Sequence, residues 1–77
     1  MAETTRIDAK GLKCPMPVIK LQQQTRKSDE GDRILIECTD PGAEKDISSW
    51  CKVNKHKIIE INATDTGCVI EIEVHSL

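Results

Sequence analysis

The chain has 77 residues, of which 11 are Lys or Arg and 13 are Asp or Glu, so its formal net charge is −2. This length accommodates one domain over residues 1–77. The composition, with 38% hydrophobic and 31% charged residues, is that of a globular protein and excludes wholesale disorder. Trp50 is the only aromatic residue, whereas four residues are cysteines. We therefore expect an aliphatic core and no aromatic platform for stacking single-stranded nucleic acid.

The first half of the chain has the pattern of a strand, a helix and a second strand. Residues 5–10 alternate between apolar and polar, which is typical of a strand. A helix is predicted from Pro15 to about Lys27, with Val18 at the centre of its apolar face and a turn at 28–32. Residues 33–38 alternate again and predict the second strand.

The second half adds a helix and a hairpin. Asp40 is the expected N-cap and Pro41 the expected first residue of a helix that extends to Asn54. Two further strands, 57–63 and 68–74, are joined by a hairpin loop at 64–67. The order β-α-β-α-β-β predicts an α/β (α+β) two-layer sandwich, in which both helices cover one face of a four-stranded mixed sheet.

The cysteine spacing excludes the usual metal and disulfide frameworks. There is no CxxC and no paired spacing, so we predict neither a metal site nor a cofactor. Glu3 and Asp8 lie where a signal peptide would have its apolar stretch, which predicts a cytoplasmic protein with reduced thiols. No apolar run approaches the roughly 20 residues of a membrane span, so we expect no membrane insertion.

The four cysteines fall into two groups. Cys38 and Cys68 share strand faces with isoleucines, and Cys51 follows Ile47 by one helical turn, so these three are expected to be buried and inert. Cys14 instead precedes Pro-Met-Pro at the start of a helix. As N-cap it would place Pro15 at N1 and Pro17 at N3, where neither proline breaks a helical hydrogen bond.

A helix N-terminus favours the thiolate form of Cys14. The backbone N–H of Met16 is the expected partner of the sulfur, and no acidic residue lies between positions 9 and 28. Five cations add to a positive local field: Lys10, Lys13, Lys20, Arg26 and Lys27. Such a thiolate can accept a sulfur atom and hold it as a persulfide. Because no neighbouring cysteine or catalytic triad completes a reaction centre, this describes a carrier better than a complete enzyme, the alternative being a cysteine that only caps the helix.

The sequence contains the string Gly11-Leu12-Lys13-Cys14-Pro15-Met16-Pro17, with a Cys-Pro-x-Pro motif, and later Asp40-Pro41-Gly42-Ala43 and Asp46-Ile47. Together these stretches resemble the TusA, or SirA-like, family of sulfur carrier proteins. The resemblance implies the same two-layer sandwich and a persulfide on Cys14, supported by Pro15, Met16, Pro17, Lys10 and Lys13. It also implies a cysteine desulfurase or rhodanese as the sulfur donor and a DsrE-like or TusD-like protein as the acceptor. The uses it implies are tRNA thiolation, molybdenum cofactor assembly and sulfur oxidation.

Several alternatives remain open from the sequence. The chain could be a small sulfurtransferase acting on thiosulfate beside a transporter, and a nucleic-acid-binding module is disfavoured by the net charge of −2. Asp40, Pro41 and Asp46 are expected to cap and solubilise a helix, and Trp50 is expected to plug the core rather than to bind a partner. Lys10, Lys13 and Lys20 form either a solvated face or a surface that steers partners.

Overall fold

The chain folds into four strands and two helices in a computed structural model that describes residues 3–13 and 15–75. The elements in chain order are β1 (Thr4–Ala9), α1 (Met16–Arg26), β2 (Arg33–Cys38), α2 (Ala43–Asn54), β3 (Lys57–Ala63) and β4 (Cys68–Glu73). The predicted order β-α-β-α-β-β is thereby confirmed.

The sheet order is β1-β2-β4-β3, with β1 parallel to β2 and with β4 antiparallel to both β2 and β3. Helix α1 therefore connects two neighbouring parallel strands, whereas α2 connects β2 to β3 across the inserted strand β4. Because β1, β2 and β3 run in the same direction, their carboxyl ends meet at one edge of the sheet. The loops that follow these strands lie together at that edge.

The core lies between the helices and one face of the sheet. Alternate residues of β2 and β4 face the helices, as the period of two predicts. The buried apolar residues are Ala9, Leu21, Ile34, Ile36, Cys38, Ala43, Ile47, Cys51, Cys68, Ile70, Ile72 and Val74. The prediction that Cys38, Cys51 and Cys68 are buried is confirmed, while Trp50 is half-buried against the core.

Helix α1 begins one residue later than the sequence predicts. Its N-cap is Pro15, whose carbonyl accepts the first helical hydrogen bond from the Ile19 N–H at 3.1 Å. The Met16 N–H donates to the Lys13 carbonyl at 2.8 Å, outside the hydrogen-bond ladder of the helix. The expectation of Pro15 at N1 and Pro17 at N3 is therefore wrong by one position. Pro17 at N2 still breaks no helical hydrogen bond.

Helix α1 also buries side chains other than those the sequence predicts. Pro17 and Leu21, spaced by four residues, lie on the face towards the sheet and are buried. Val18, which was expected at the centre of that face, is half-buried, and Ile19 is exposed.

Helix α2 likewise begins later than predicted, with Gly42 as its N-cap. The Asp46 N–H donates to the Gly42 carbonyl at 3.1 Å, and the Ala43 N–H donates to the Asp40 carbonyl at 3.0 Å. The Gly42 N–H also donates to Asp40 Oδ1 at 3.2 Å. The prediction of Asp40 as N-cap is wrong, because its carboxylate caps the turn that precedes the helix.

Candidate functional site

Three loops meet at the edge of the sheet where β1, β2 and β3 end. They are the β1–α1 loop (residues 10–15), the β2–α2 loop (residues 39–42) and the β3–β4 loop (residues 64–67). The carboxyl ends of parallel strands are the usual position of binding sites in α/β sheets. Pro15, Met16 and Pro17 lie at this edge because α1 begins there, after the β1–α1 loop.

Thr39 joins the three loops. Its Oγ1 accepts a hydrogen bond from the Gly11 N–H at 2.8 Å, and Gly11 has a φ of 80°, which favours glycine. On its other side Thr39 is packed against Gly67, where an added Cβ would lie 2.7 Å from the Thr39 Cα and would collide with the Cys38 carbonyl oxygen. Sequence reasoning missed the importance of both Thr39 and Gly67, because neither residue carries a signal beyond its position at the end of a strand or turn.

The predicted reactive residue, Cys14, lies outside the described residues. Its neighbours Lys13, Pro15 and Met16 are exposed, and Met16 leaves 43% of its surface accessible. Pro17 is buried and anchors the start of α1 on the core. The Met16 N–H, which the sequence reasoning assigned to the sulfur, donates to the Lys13 carbonyl at 2.8 Å, and its relation to the sulfur lies outside the described residues.

A cleft of about 420 Å³ separates the β1–α1 loop from the β2–α2 loop. It is lined by Gly11, Leu12, Lys13, Thr39, Asp40 and Pro41. The fold thus brings an acid, Asp40, into the same cleft as Lys13, although no acid is near Lys13 in the sequence. Lys10 is also less available than its position suggests, because its Nζ lies 3.6 Å from Glu37 Oε2.

The two helix N-termini at this edge differ in charge. Helix α2 has Glu44 and Asp46 in its first turn, and these carboxylates offset the positive end of the helix dipole. Helix α1 has no acidic residue in its first turn, and Lys20 is exposed one turn further on. The N-terminus of α1 therefore keeps a positive potential that can stabilise an anion.

The three cysteines that the structure describes are poor nucleophiles. Burial raises the pKa of Cys38 to about 12, with further contributions from Cys68 and Asp40. Burial alone raises the pKa of Cys51 to about 11, and burial followed by the Glu44 carboxylate raises the pKa of Cys68. At a pKa of about 12 only about one thiol in 10⁵ is ionised at pH 7, so none of these groups is primed to attack a sulfur donor.

Trp50 lies away from this edge, in the carboxyl-terminal half of α2. Its ring packs against the His56 imidazole with 5.1 Å between ring centroids. The His56 Nδ1 accepts a hydrogen bond from the His75 N–H at 3.1 Å, which fixes β4 against the end of α2. Trp50 therefore closes one margin of the core, in agreement with its expected structural role.

The β-α-β-α-β-β sandwich with its loop edge defines this chain as a small two-layer α/β domain. The family model "Sulfurtransferase TusA" matches residues 5–74, and the chain belongs to this family. The candidate sulfur carrier protein YrkI of Bacillus subtilis is 34% identical over 65 residues, which is 84% of each chain.

Two further comparisons bear on size and on fold. A candidate sulfur carrier protein of Aquifex aeolicus is 36% identical over 71 residues, or 92% of this chain, but the match spans only 36% of that protein's length. The crystal structure of a SirA-like protein from Desulfitobacterium hafniense superposes with a TM-score of 0.80. It covers 94% of this chain and 99% of its own at 19% identity, and therefore supports the fold.

Within residues 3–13 and 15–75, neither α1 nor α2 has the length and apolar character needed to cross a bilayer.

Proposed function

We propose that this protein is a sulfur carrier that accepts sulfane sulfur as a persulfide on Cys14 and passes it to an acceptor protein. The observation that carries the proposal is the contrast among the cysteines: Cys38, Cys51 and Cys68 are buried with raised pKa values. Cys14 instead lies in the Cys-Pro-x-Pro string of a TusA-family chain, between the exposed residues Lys13 and Pro15. The names of the relatives from Bacillus subtilis and Aquifex aeolicus support the same role.

The surroundings of the β1–α1 loop suit an anionic sulfur. The α1 N-terminus is free of acidic side chains in its first turn, and a thiolate or a persulfide anion gains from its dipole. Pro15, Met16 and Pro17 fix the direction of the helix at that point, and Lys13 supplies a positive charge on the cleft wall. Lys10, held beside Glu37, contributes to the shape of the neighbouring surface more than to the local charge.

The proposed donor and acceptor come from the resemblance to the TusA family. It implies a cysteine desulfurase or a rhodanese as the sulfur donor and a DsrE-like or TusD-like protein as the acceptor. Thiolation of tRNA, cofactor assembly and sulfur oxidation are the processes such a relay would serve. The exposed Met16 and Ile19, three residues apart on α1, give partners an apolar spot at the start of this helix.

Intact-mass measurement after incubation with a sulfane sulfur donor tests the proposal. We expect wild-type protein to gain the mass of one or more sulfur atoms, and Cys14→Ser to gain none. Cys51→Ser is the matched control, because it removes a buried thiol remote from the loops and should leave the gain intact. Sulfur loading that persists in Cys14→Ser would refute the role of Cys14.

A second measurement separates a carrier from an enzyme. Sulfide release from thiosulfate over many turnovers, with no acceptor protein present, would identify a sulfurtransferase and overturn the carrier role. A single stoichiometric loading that is discharged only by an acceptor would support it.

A further inference from the structure

Cys38 and Cys68 form a pair of thiols directly beneath the loop edge. Cys38 ends β2 and Cys68 begins β4, and the two residues are direct partners in the antiparallel register. Both side chains lie on the helix-facing side, 2% and 8% exposed, and each thiol is close enough to influence the pKa of the other. The carrier role proposed for Cys14 leaves this pair without a function.

The hydrogen-bond alternation shows which kind of cross-strand pair this is. The Val74 N–H donates to the Asp32 carbonyl at 2.8 Å, so the even-numbered residues of β4 point their backbone groups towards β2. The Thr64 N–H donates to the Gly67 carbonyl at 2.8 Å, so the backbone N–H and C=O groups of Gly67 and of the odd-numbered residues of β4 point towards β3. Cys38 and Cys68 therefore form a hydrogen-bonded pair, in which the Cα atoms are about 5.5 Å apart.

This geometry distinguishes two forms of sulfur chemistry. A disulfide requires Cβ atoms about 3.5 to 4.5 Å apart, whereas Cβ atoms in hydrogen-bonded pairs are near the wide end of about 4.5 to 5.5 Å. An ion bound linearly between two thiolates, with metal–sulfur bonds of about 2.3 Å as for zinc, places the sulfurs about 4.6 Å apart. The wider spacing suits a bridging ion better than a direct S–S bond.

We propose that Cys38 and Cys68 are a two-coordinate binding site for a soft monovalent ion, Cu(I). Thiolates select soft ions, and over residues 3–13 and 15–75 no group of three or more His, Cys, Asp or Glu side chains is placed to complete a zinc-type site. A cleft of about 210 Å³ reaches the pair from the surface and gives the ion an entry path. It is lined by Lys10, Glu37, Cys38, Thr39, Thr64, Thr66, Cys68 and Val69.

Binding exchanges two protons for one ion. Each S–H bond is broken and each sulfur donates an electron pair to Cu(I), giving a complex of charge −1 and two released protons, with no change in oxidation state. The Asp40 and Glu44 carboxylates, which act on Cys38 and Cys68 respectively, attract the entering cation but oppose the charge of the finished complex.

Anaerobic titration of Cu(I) against a chromophoric Cu(I) chelator tests the site. The measurement uses full-length Cys14→Ser, so that a thiol in the β1–α1 loop does not contribute and the result is independent of the carrier role. We expect one Cu(I) per chain, none after a further Cys38→Ala or Cys68→Ala, and one again after Cys51→Ala. The affinity should fall by about 100-fold per pH unit on acidification, because two protons are released per ion.

Two further readouts keep the test decisive if an alanine variant folds poorly. In wild-type protein, Cu(I) should protect Cys38 and Cys68 from alkylation while leaving Cys51 unchanged, and X-ray absorption should show two sulfur ligands. Cu(I) retention after Cys38→Ala, or no binding to Cys14→Ser, would overturn the proposal. Ready oxidation of the pair to a disulfide by hydrogen peroxide, without loss of thermal stability, would contradict the spacing on which it depends.

Discussion

Substitution of Gly67 by alanine perturbs the point where the β3–β4 loop contacts the end of β2. The new methyl group would lie 2.7 Å from the Thr39 Cα and 2.8 Å from the Cys38 carbonyl carbon, and it would overlap the Cys38 carbonyl oxygen. These are backbone atoms, so the strands must separate to admit the methyl group. Overpacking of this kind costs about 1 to 3 kcal/mol, and a backbone obstruction belongs at the upper end.

That cost is large for a domain of this size. At about 4 to 8 °C per kcal/mol for a 60 to 100-residue domain, a loss of about 2 to 3 kcal/mol lowers Tm by roughly 10 to 20 °C. Because Gly67 holds Thr39, which in turn binds the Gly11 N–H, the amide resonances of Gly11 and Thr39 should also shift.

Calorimetry and amide spectra on matched variants test this reasoning. Gly42→Ala is the control, since its Cβ would meet only Asp40 Oδ1 and Asp46 Oδ2, each at an ordinary contact distance of 3.9 Å. We expect Gly42→Ala to change Tm by only a few degrees. A Gly67→Ala protein that melts within a few degrees of wild type, with unchanged Gly11 and Thr39 resonances, would refute the proposed packing.

Three further predictions follow from individual contacts. Thr39→Val should lose about 1 kcal/mol of unfolding free energy in urea titrations, because the Gly11 N–H loses its acceptor, whereas Thr39→Ser should retain it; equal stability of the two variants would contradict this. Lys55→Gly should raise the free energy of unfolding by about 1 kcal/mol, because Lys55 has a φ of 63° and glycine adopts this left-handed conformation without strain. Lys55→Ala should not raise it, and a glycine variant less stable than wild type would show that the conformation carries no strain. Burial, and secondarily His75, lowers the pKa of His56 below its ordinary 6.5. The neutral imidazole of His56 therefore contributes its full stabilisation above about pH 6.5, and this stabilisation is lost as the pH falls from there towards the pKa of the folded state. In thermal melts across this range the fall should be smaller in His56→Gln, and an identical fall would exclude His56 as its source.

The order of elements and the burial of three cysteines could be predicted from the sequence because both depend on local pattern. The alternation of β2 and β4 places Cys38 and Cys68 among isoleucines whatever the strands pair with. The prolines at 15 and 17 restrict where α1 can begin to within one residue.

The errors have a common physical origin. Asp40 is not the N-cap of α2, and Pro15 is not the first residue of α1, because each takes part in a turn that precedes its helix. Sequence propensities indicate which residues can begin a helix. Which carbonyl accepts a hydrogen bond from each of the first N–H groups depends instead on the path of the preceding loop. That path is set by tertiary contacts such as the one between Gly11 and Thr39.

The sequence by itself determined the two-layer class of the fold, the aliphatic core and the separation of Cys14 from the other three cysteines, because these depend on periodicity and on proline geometry. Only the tertiary structure decided that Asp40 lies in the cleft with Lys13, that Thr39 and Gly67 join the loops, and that Cys38 lies opposite Cys68. These relations join residues distant in sequence, and strand order and register alone bring them together.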